Sequence, residues 1–254
     1  MQLRDEQEYE RERVRRYQEL AERARRMYGY VYSDFHSANG AALAYRAASA
    51  REVALFGGME DAERQMVRFG DPGELGYEEP FPIDIVLIEP KQKKFSEALT
   101  HRDYLGALMS LGIEREMLGD LLVKDGTACV FVCERMTALI LNELKTVRHT
   151  AVKAAKLDAV PPDMRPKLQR ETVTVSSLRL DGILARAFHL SRGDAKKLFE
   201  AERVFLNGRL CKSPEKEPAE GDRISLRGFG KMQYFGVRRV TAKDRLAVEI
   251  GRFV

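Results

Sequence analysis

Residues 177–231 constrain the fold of this 254-residue chain more than any other stretch. Four apolar residues recur there at the spacing of one helix face: Leu180, Ile183, Leu184 and Ala187. A stripe at i, i+3, i+4 and i+7 predicts a short amphipathic helix whose apolar side faces a core. The stretch is therefore expected to open with a helix packed in its own small domain.

A second helix and a hairpin are predicted to follow. Ser191 and Asp194 have the spacing of a capping box, in which two side chains satisfy free backbone N–H groups at a helix start. The apolar face of this helix contains Ala195, Leu198 and Phe199. Asn207-Gly208 then lies between two apolar runs, and this dipeptide is the strongest short signal of a β-hairpin because both residues tolerate positive φ.

The positive charge of the chain is concentrated in the same region. Residues 179–239 contain 14 Lys and Arg against 8 Asp and Glu, a net charge of +6, whereas the whole chain carries +4. A local basic excess is the electrostatic footprint of a nucleic-acid-binding module. On charge alone an ordinary solvated surface explains it equally well, so the order of the residues has to decide.

That order resembles the small RNA-binding domain of ribosomal protein S-four. The shared features are Arg-Leu-Asp before the first helix, Leu-Ser-Arg before the second, the Lys-Lys within it, and the later Val-x-Leu-Asn-Gly and Gly-Asp-x-Ile. One departure is Glu202, where the domain usually has glycine after its second helix. The resemblance implies an S-four-type RNA-binding domain over residues 173–254, whose last two apolar alternations are added strands.

The resemblance also implies which side chains bind RNA. Carried over position by position, the first choices are Arg179, Arg192, Lys196 and Lys197, and the second choices are Asn207, Arg209 and Lys212. Arginine suits this role because its guanidinium group can hold two phosphate oxygens at once. Asp181 is expected to orient a neighbouring arginine. For His189, packing and a phosphate contact are equal alternatives.

Composition indicates a soluble globular protein of a reducing compartment. The chain is 44% hydrophobic and 32% charged, and it has no apolar run near the length of about 18 residues that a membrane span needs. Its first residues are rich in both signs of charge, unlike a secretory signal or a transit peptide. Cys129, Cys133 and Cys211 form no CxxC motif, and Cys129 and Cys133 are interpreted as core thiols. We therefore expect a cytoplasmic protein without metal or cofactor.

Residues 1–75 are predicted to form a helical domain. Residues from about 6 to 30 keep helical spacing throughout, and the apolar segments 41–56 and 59–69 are interpreted as two further helices. Gly70-Asp71-Pro72-Gly73 cannot continue a helix and indicates a surface loop before the next domain.

Residues 81–157 alternate between strand and helix patterns. The predicted order, strand–helix–strand–strand–helix–strand, is that of the ferredoxin-like fold, which RNA-recognition motifs share. The aromatic signature with which those motifs stack bases is absent, and Phe131 is interpreted as a core residue. A proline-rich linker over residues 158–172 is expected to precede the C-terminal domain. The predicted fold class is therefore α+β.

Over nearly its whole length the chain resembles the bacterial YlmH-like family, with relatives described as photosystem II S-four domain proteins. The stretches that carry this resemblance are 100–108, 111–115, 118–123 and 227–230. The resemblance implies a non-enzymatic, monomeric RNA-binding protein that associates with the large ribosomal subunit in the quality control of stalled nascent chains. Its implied partners are ribosomal RNA, tRNA and quality-control factors.

Two other hypotheses stay open at this point. One is an RNA-modifying enzyme whose active site has no recognisable motif; it predicts cofactor binding or a modified nucleoside that is lost on gene deletion. The other is a regulator of cell division or photosystem assembly that binds RNA or protein away from ribosomes. No residues point to either, and no serine or cysteine has the local setting of an activated nucleophile.

Overall fold

The computed structural model describes residues 2–60, 62–92 and 97–253, with the backbone alone described for residues 2–7 and 209. The chain contains two compact units, Met1–Arg165 and Pro166–Val254. Both combine helices with antiparallel sheets, so the α+β class is confirmed. Within the described ranges, no helix combines the length and the apolar character that crossing a bilayer requires.

The first unit begins with a long helix packed on a small sheet. Its first elements are α1 (Gln2–Met27), β1 (Val31–Tyr32), β2 (His36–Ser37), α2 (Ala38–Ala42), β3 (Val53–Phe56), β4 (Arg64–Phe69) and α3 (Pro72–Leu75). Strand β4 pairs antiparallel with each of the other three strands. Helix α1 buries Tyr17, Leu20 and Ala24 together with Val67 and Phe69 of the sheet.

The prediction of a purely helical N-terminal domain is wrong. Within residues 41–56 the helical part ends at a 3-10 turn, Leu43–Arg46, and residues 59–69 contain strand β4 instead of a helix. The period of short apolar runs does not separate helix from strand. Here Val53 and Phe56 belong to a strand that pairs with β4. β-branched and aromatic residues favour a half-buried sheet, and this preference outweighs the helical tendency of the alanines that precede them.

Residues 83–157 form a five-stranded antiparallel sheet with two helices. Its elements are β5 (Ile83–Pro90), α4 (His101–Ser110), β6 (Leu118–Lys124), β7 (Thr127–Cys133), α5 (Glu134–Glu143), β8 (Thr146–Val147) and β9 (Thr150–Leu157). The strand order is β6-β7-β5-β9-β8. Apart from the short β8, the elements follow the predicted order, which is that of ferredoxin-like folds.

Both faces of this sheet are covered within the first unit. Alternate residues of β7 point to opposite faces. Val130 packs in the core that α4 and α5 cover, whereas Phe131 lies in a separate core with Phe35, Met66 and Met164. Phe131 is completely buried, so its interpretation as a core residue is confirmed. The surface on which RNA-recognition motifs stack bases is therefore interior here.

The second unit packs two helices on a six-stranded antiparallel sheet. Its elements are β10 (Leu168–Val175), α6 (Leu180–Ala187), α7 (Arg192–Glu200), β11 (Val204–Leu206), β12 (Arg209–Leu210), β13 (Arg223–Leu226), β14 (Gly230–Val240) and β15 (Leu246–Phe253). The strand order is β10-β15-β14-β13-β11-β12. Both predicted helices are present, and Asn207 and Gly208 have the expected positive φ of 50° and 76° at the hairpin turn.

The predicted linker over residues 158–172 is wrong at both ends. Val160 and Met164 are buried in the first unit, and Leu168 begins a strand that pairs with β15 over eight residues. Strand β10 lies at an edge of its sheet. Polar residues are tolerated on edge strands, so the apolar alternation that would predict a strand is weak.

All three cysteines are buried free thiols, which confirms the interpretation of Cys129 and Cys133 as core thiols. Burial raises the pKa of Cys129 and of Cys133 to about 11. Their thiols are therefore protonated at neutral pH and poorly nucleophilic. In the described part of the chain, no three His, Cys, Asp or Glu side chains are grouped so that they could hold a metal ion.

Glu202 occupies a left-handed backbone position just after α7, with a φ of 54°. A residue with a Cβ adopts this conformation at a cost of about 1 kcal/mol that glycine avoids. We expect Glu202→Gly to stabilise the second unit by about 0.5 kcal/mol, because loss of the Glu202–Lys212 ion pair and a freer unfolded chain offset part of the gain. Thermal unfolding measures this, with Glu200→Gly inside α7 as a destabilising control. A lower melting temperature for both variants would contradict strain at Glu202.

Candidate nucleic-acid interface

Two of the predicted RNA-binding residues meet at Asp181, in the first turn of α6. The Asp181 side chain is completely buried. Arg179 donates from Nε to Oδ1 at 3.2 Å and from Nη2 to Oδ2 at 3.0 Å, and Nη2 of Arg192 lies 3.6 Å from Oδ1. The backbone N–H of Gly182 donates a further hydrogen bond at 2.7 Å. The prediction that Asp181 orients a neighbouring arginine is confirmed, and it orients two.

The surroundings of Asp181 keep its carboxyl group ionised. Burial disfavours the charged form of a carboxyl group and by itself raises the pKa of Asp181. The hydrogen bonds from Arg179 and the charges of Arg192 and Arg179 outweigh burial, so the pKa of Asp181 lies below its usual value. The hydrogen bond to Asp181 in turn raises the pKa of Arg179. At neutral pH a buried carboxylate therefore anchors two guanidinium groups.

The two arginines differ in how freely they can contact a ligand. Arg179 also donates from Nη1 to Glu215 at 2.7 Å, and its side chain is only 27% exposed. The Arg192 side chain is 52% exposed. Most of the Arg179 donors are used within the protein, so Arg179 is chiefly a positioning residue, whereas Arg192 presents donors to solvent.

Helix α7 displays Lys196 and Lys197 to solvent and buries Leu198 on its other side. It begins at Ser191, whose Oγ accepts the Asp194 N–H at 3.0 Å, which is one half of the predicted capping box. Asp194 reaches back as expected, but its Oδ2 accepts the Ser191 hydroxyl at 2.7 Å in place of the backbone N–H. Nζ of Lys197 lies 3.2 Å from Asp194 Oδ1, yet the side chain is 75% exposed. Such an exposed pair contributes little to stability, so Lys197 can exchange it for a phosphate.

The second-choice residues of the hairpin make folding contacts. Asn207 donates from Nδ2 to Asp222 at 2.7 Å and accepts from a backbone N–H of β13 at 2.9 Å, which fixes the hairpin to that strand. Nζ of Lys212 lies 2.8 Å from a carboxylate oxygen of Glu202. Arg209 belongs to β12, and its side chain lies outside the described atoms.

Sequence reasoning missed two basic residues beside this group. Arg186 in the last turn of α6 and Arg245 in the turn before β15 line a groove, and His189 and Arg192 line it with them. The groove places His189 at an exposed position rather than in the core. Arg186 follows Arg179 by two helical turns, a spacing that could have revealed it. Arg245 reaches the groove through the pairing of distant strands, so no local sequence pattern indicates it.

The two units have net charges of opposite sign. Pro166–Val254 contains 19 Lys and Arg against 11 Asp and Glu, a net charge of +8, whereas Met1–Arg165 contains 24 against 28, a net charge of −4. The basic excess thus belongs to the second unit as a whole and exceeds that of residues 179–239. An excess of this kind favours a polyanionic partner for the second unit.

Comparison with known proteins gives matches in both units. Residues 77–160, which contain the five-stranded sheet, match a family model described as "Putative RNA-binding domain in YlmH". The "Ribosome-associated protein quality control protein P2" of Bacillus subtilis (strain 168) is 28% identical over 207 residues, which are 79% of this chain and 77% of that protein. The match of the relative extends well beyond the residues of the family model.

A solved structure, "Cell division protein ylmH from Streptococcus pneumoniae", is similar with a TM-score of 0.47 and 24% identity, covering 58% of this chain and 90% of that chain. The family model spans three of the stretches that first suggested the family, residues 100–108, 111–115 and 118–123. The chain resembles the YlmH-like family.

Proposed function

We propose that this protein is a non-enzymatic, RNA-binding protein that associates with the large ribosomal subunit. In this proposal the second unit is an S-four-type domain that contacts ribosomal RNA and tRNA, and the protein acts as a cytoplasmic monomer in the quality control of stalled nascent chains. The match to an RNA-binding family model and the name of the Bacillus relative support the proposal.

The observation that carries the proposal is the cationic surface formed by Arg192, Lys196 and Lys197, with Arg192 anchored on buried Asp181. Structured RNA is recognised largely by its shape and by contacts to phosphates and 2′-hydroxyl groups. A rigid helix that displays cations suits such a ligand. Anchoring on Asp181 restricts the arginine before RNA arrives, so less side-chain entropy is lost on binding.

The first unit takes a different part in this proposal. Residues 77–160 match the RNA-binding family model, but Phe131 and its sheet face are covered by Phe35, Met66 and Met164. Base stacking on that face would require the first unit to open. Any RNA contact of this region therefore uses its helices, loops or sheet edge.

We expect the loss of the α7 cations to release the protein from ribosomes. Arg192→Ala/Lys196→Ala/Lys197→Ala removes three exposed phosphate ligands, and a loss of about 1 kcal/mol for each would weaken binding to large subunits by roughly 100-fold. The measurement is sedimentation of the tagged full chain through sucrose gradients of its own cell lysate at low and moderate salt, followed by titration of purified large subunits.

The matched control is Arg15→Ala/Arg23→Ala/Arg26→Ala, which removes the same charge from exposed positions of α1 in the first unit. The wild type and this control are expected to sediment with large subunits, less so as salt rises, because phosphate contacts release counterions. A wild type that stays at the top of the gradient at both salts contradicts the proposed function. Equal losses in the two triple variants contradict the assignment to α7.

A further inference from the structure

A groove in the second unit lies between the C-terminal end of α6 and strand β10. Its larger part has a volume of 590 Å³, and a neighbouring part of 320 Å³ continues to Arg192 at the start of α7. The lining residues that both parts share are Thr174, Ala185, Arg186, Leu190 and Arg245. The two parts together are called the α6 groove below.

The ionisable side chains of the α6 groove are Arg186, His189, Arg192 and Arg245. Among the described residues, no Asp or Glu lines either part, and neither Arg186 nor Arg245 forms an ion pair with a carboxylate. Like charges that are gathered without a counter-charge repel each other. A concave site with one sign of charge also concentrates ions of the opposite sign, so the groove is suited to an anion.

Other arginines of the same sheet are neutralised. Arg170 lies 3.5 Å from Glu249, and Arg238 forms a hydrogen-bonded ion pair with the same carboxylate. Arg252 pairs with Glu171. Several arginines on this sheet thus have carboxylate partners, whereas Arg186 and Arg245 have none among the described residues.

We propose that the α6 groove holds consecutive phosphates of an RNA backbone, with Arg186 on the helix side and Arg245 on the sheet side. The planar guanidinium fork matches the oxygens of a phosphate. Arg192 lines the part nearest α7, so a backbone bound along Lys196 and Lys197 continues into the groove without a break. The inference rests on the proposed RNA-binding function and extends its contact surface to the turn before β15.

The test compares two double variants of the full chain. Arg186→Ala/Arg245→Ala removes the groove cations. Arg239→Ala/Lys243→Ala removes two exposed cations from the same hairpin, neither of which lines the groove. The probe is a fluorescein-labelled RNA hairpin of arbitrary sequence, because backbone contacts do not depend on sequence. Fluorescence anisotropy gives the affinity over a series of KCl concentrations.

We expect the groove variant to bind the hairpin about tenfold more weakly at moderate salt, with the slope of log K against log [KCl] reduced by about 1 to 2. The control should change affinity by less than about threefold, since its charges act only at a distance. All four substitutions are at exposed positions, and thermal unfolding verifies the fold. Glutamine replaces alanine if a variant does not fold.

The outcomes separate the two proposals. If wild-type protein stays at the top of the gradient and does not bind the hairpin, the proposed function fails and the groove proposal fails with it. If wild-type protein sediments with large subunits, while the groove variant and its control bind the hairpin equally well, the groove proposal alone is overturned.

A free phosphate ion offers the same oxyanion chemistry as an RNA backbone. Chloride is therefore replaced by inorganic phosphate at equal ionic strength in a second titration. If the groove holds RNA, the difference between the groove variant and its control persists, because a polyanion competes well with single ions. If phosphate abolishes the difference, the groove binds the free ion and the assignment to RNA is wrong.

Discussion

Asp181→Ala is expected to lower the free energy of unfolding of the second unit by about 3 kcal/mol. The substitution removes a completely buried carboxylate, so Arg179 keeps only its contact with Glu215 and the Gly182 N–H loses its acceptor. Breaking a fully buried ion pair costs about 3–5 kcal/mol. We expect a cost at the lower end of this range, because the side chains of Arg179 and Arg192 are 27% and 52% exposed and can turn toward water.

Hydrogen exchange with mass spectrometry measures this loss, because peptides from β11 to β13 report on the second unit separately from the first. The control is Asp194→Ala, which removes a 57% exposed carboxylate that accepts the Ser191 hydroxyl at the start of α7 and should cost about 1 kcal/mol. Equal protection losses for the two variants would show that Asp181 is not a buried anchor. Asp181→Ala should also weaken RNA binding, because Arg192 loses its fixed position.

The contribution of Asp181 has a defined pH dependence. Its pKa is lower in the folded protein than in the unfolded chain, where a free aspartate titrates near about 3.9. The carboxylate therefore stabilises the fold fully above that pH, and the stabilisation is lost as the pH falls through the folded pKa. The stability difference between wild type and Asp181→Asn should shrink in that acidic window and stay constant above it.

The second large effect is expected at Arg64 of β4. Its guanidinium group donates from Nε to the Leu118 carbonyl at 2.8 Å, and from Nη2 to the carbonyls of Phe35 at 2.9 Å and Arg115 at 3.2 Å. Asp120 accepts the Arg64 backbone N–H at 3.0 Å. Arg64→Ala leaves three part-buried carbonyl groups without this donor, so we expect the first unit to lose about 2–4 kcal/mol.

The position of these contacts makes the prediction specific. Arg64 connects the small N-terminal sheet to the segment that leads into β6, so its loss should lower hydrogen-exchange protection in β4 and β6 together. Arg16→Ala on α1, whose side chain is 63% exposed, should change protection in neither. Arg64→Lys should rescue only part of the loss, because an ammonium group cannot reproduce the guanidinium geometry. Loss confined to β4 would contradict a connecting role.

The parts that sequence predicted well are those determined by local chemistry. The N-cap at Ser191, the Asn207-Gly208 turn and the burial of Phe131 follow from residues within a few positions of each other. The order of strands and helices in residues 81–157 was also predictable, because its apolar periods are clear and its turns carry glycine.

The parts that sequence missed are those determined by distant partners. Strands β3 and β4 depend on pairing with each other, and β10 depends on β15, about seventy residues later. The same limit applies to the site. Asp181 was expected to hold one arginine, but the packing of α7 against α6 brings it a second, and Arg245 reaches the α6 groove only because β14 and β15 form a hairpin.

The closed face of the five-stranded sheet decides where this protein can be divided. Residues 77–160 are a unit of family similarity, yet Cys129, Phe131 and Cys133 are shielded in part by Phe35 and Met66, which lie outside that unit. A fragment that contains only residues 77–160 would expose an apolar sheet face to water and would be prone to aggregate. The N-terminal segment and residues 77–160 are therefore expected to fold only together.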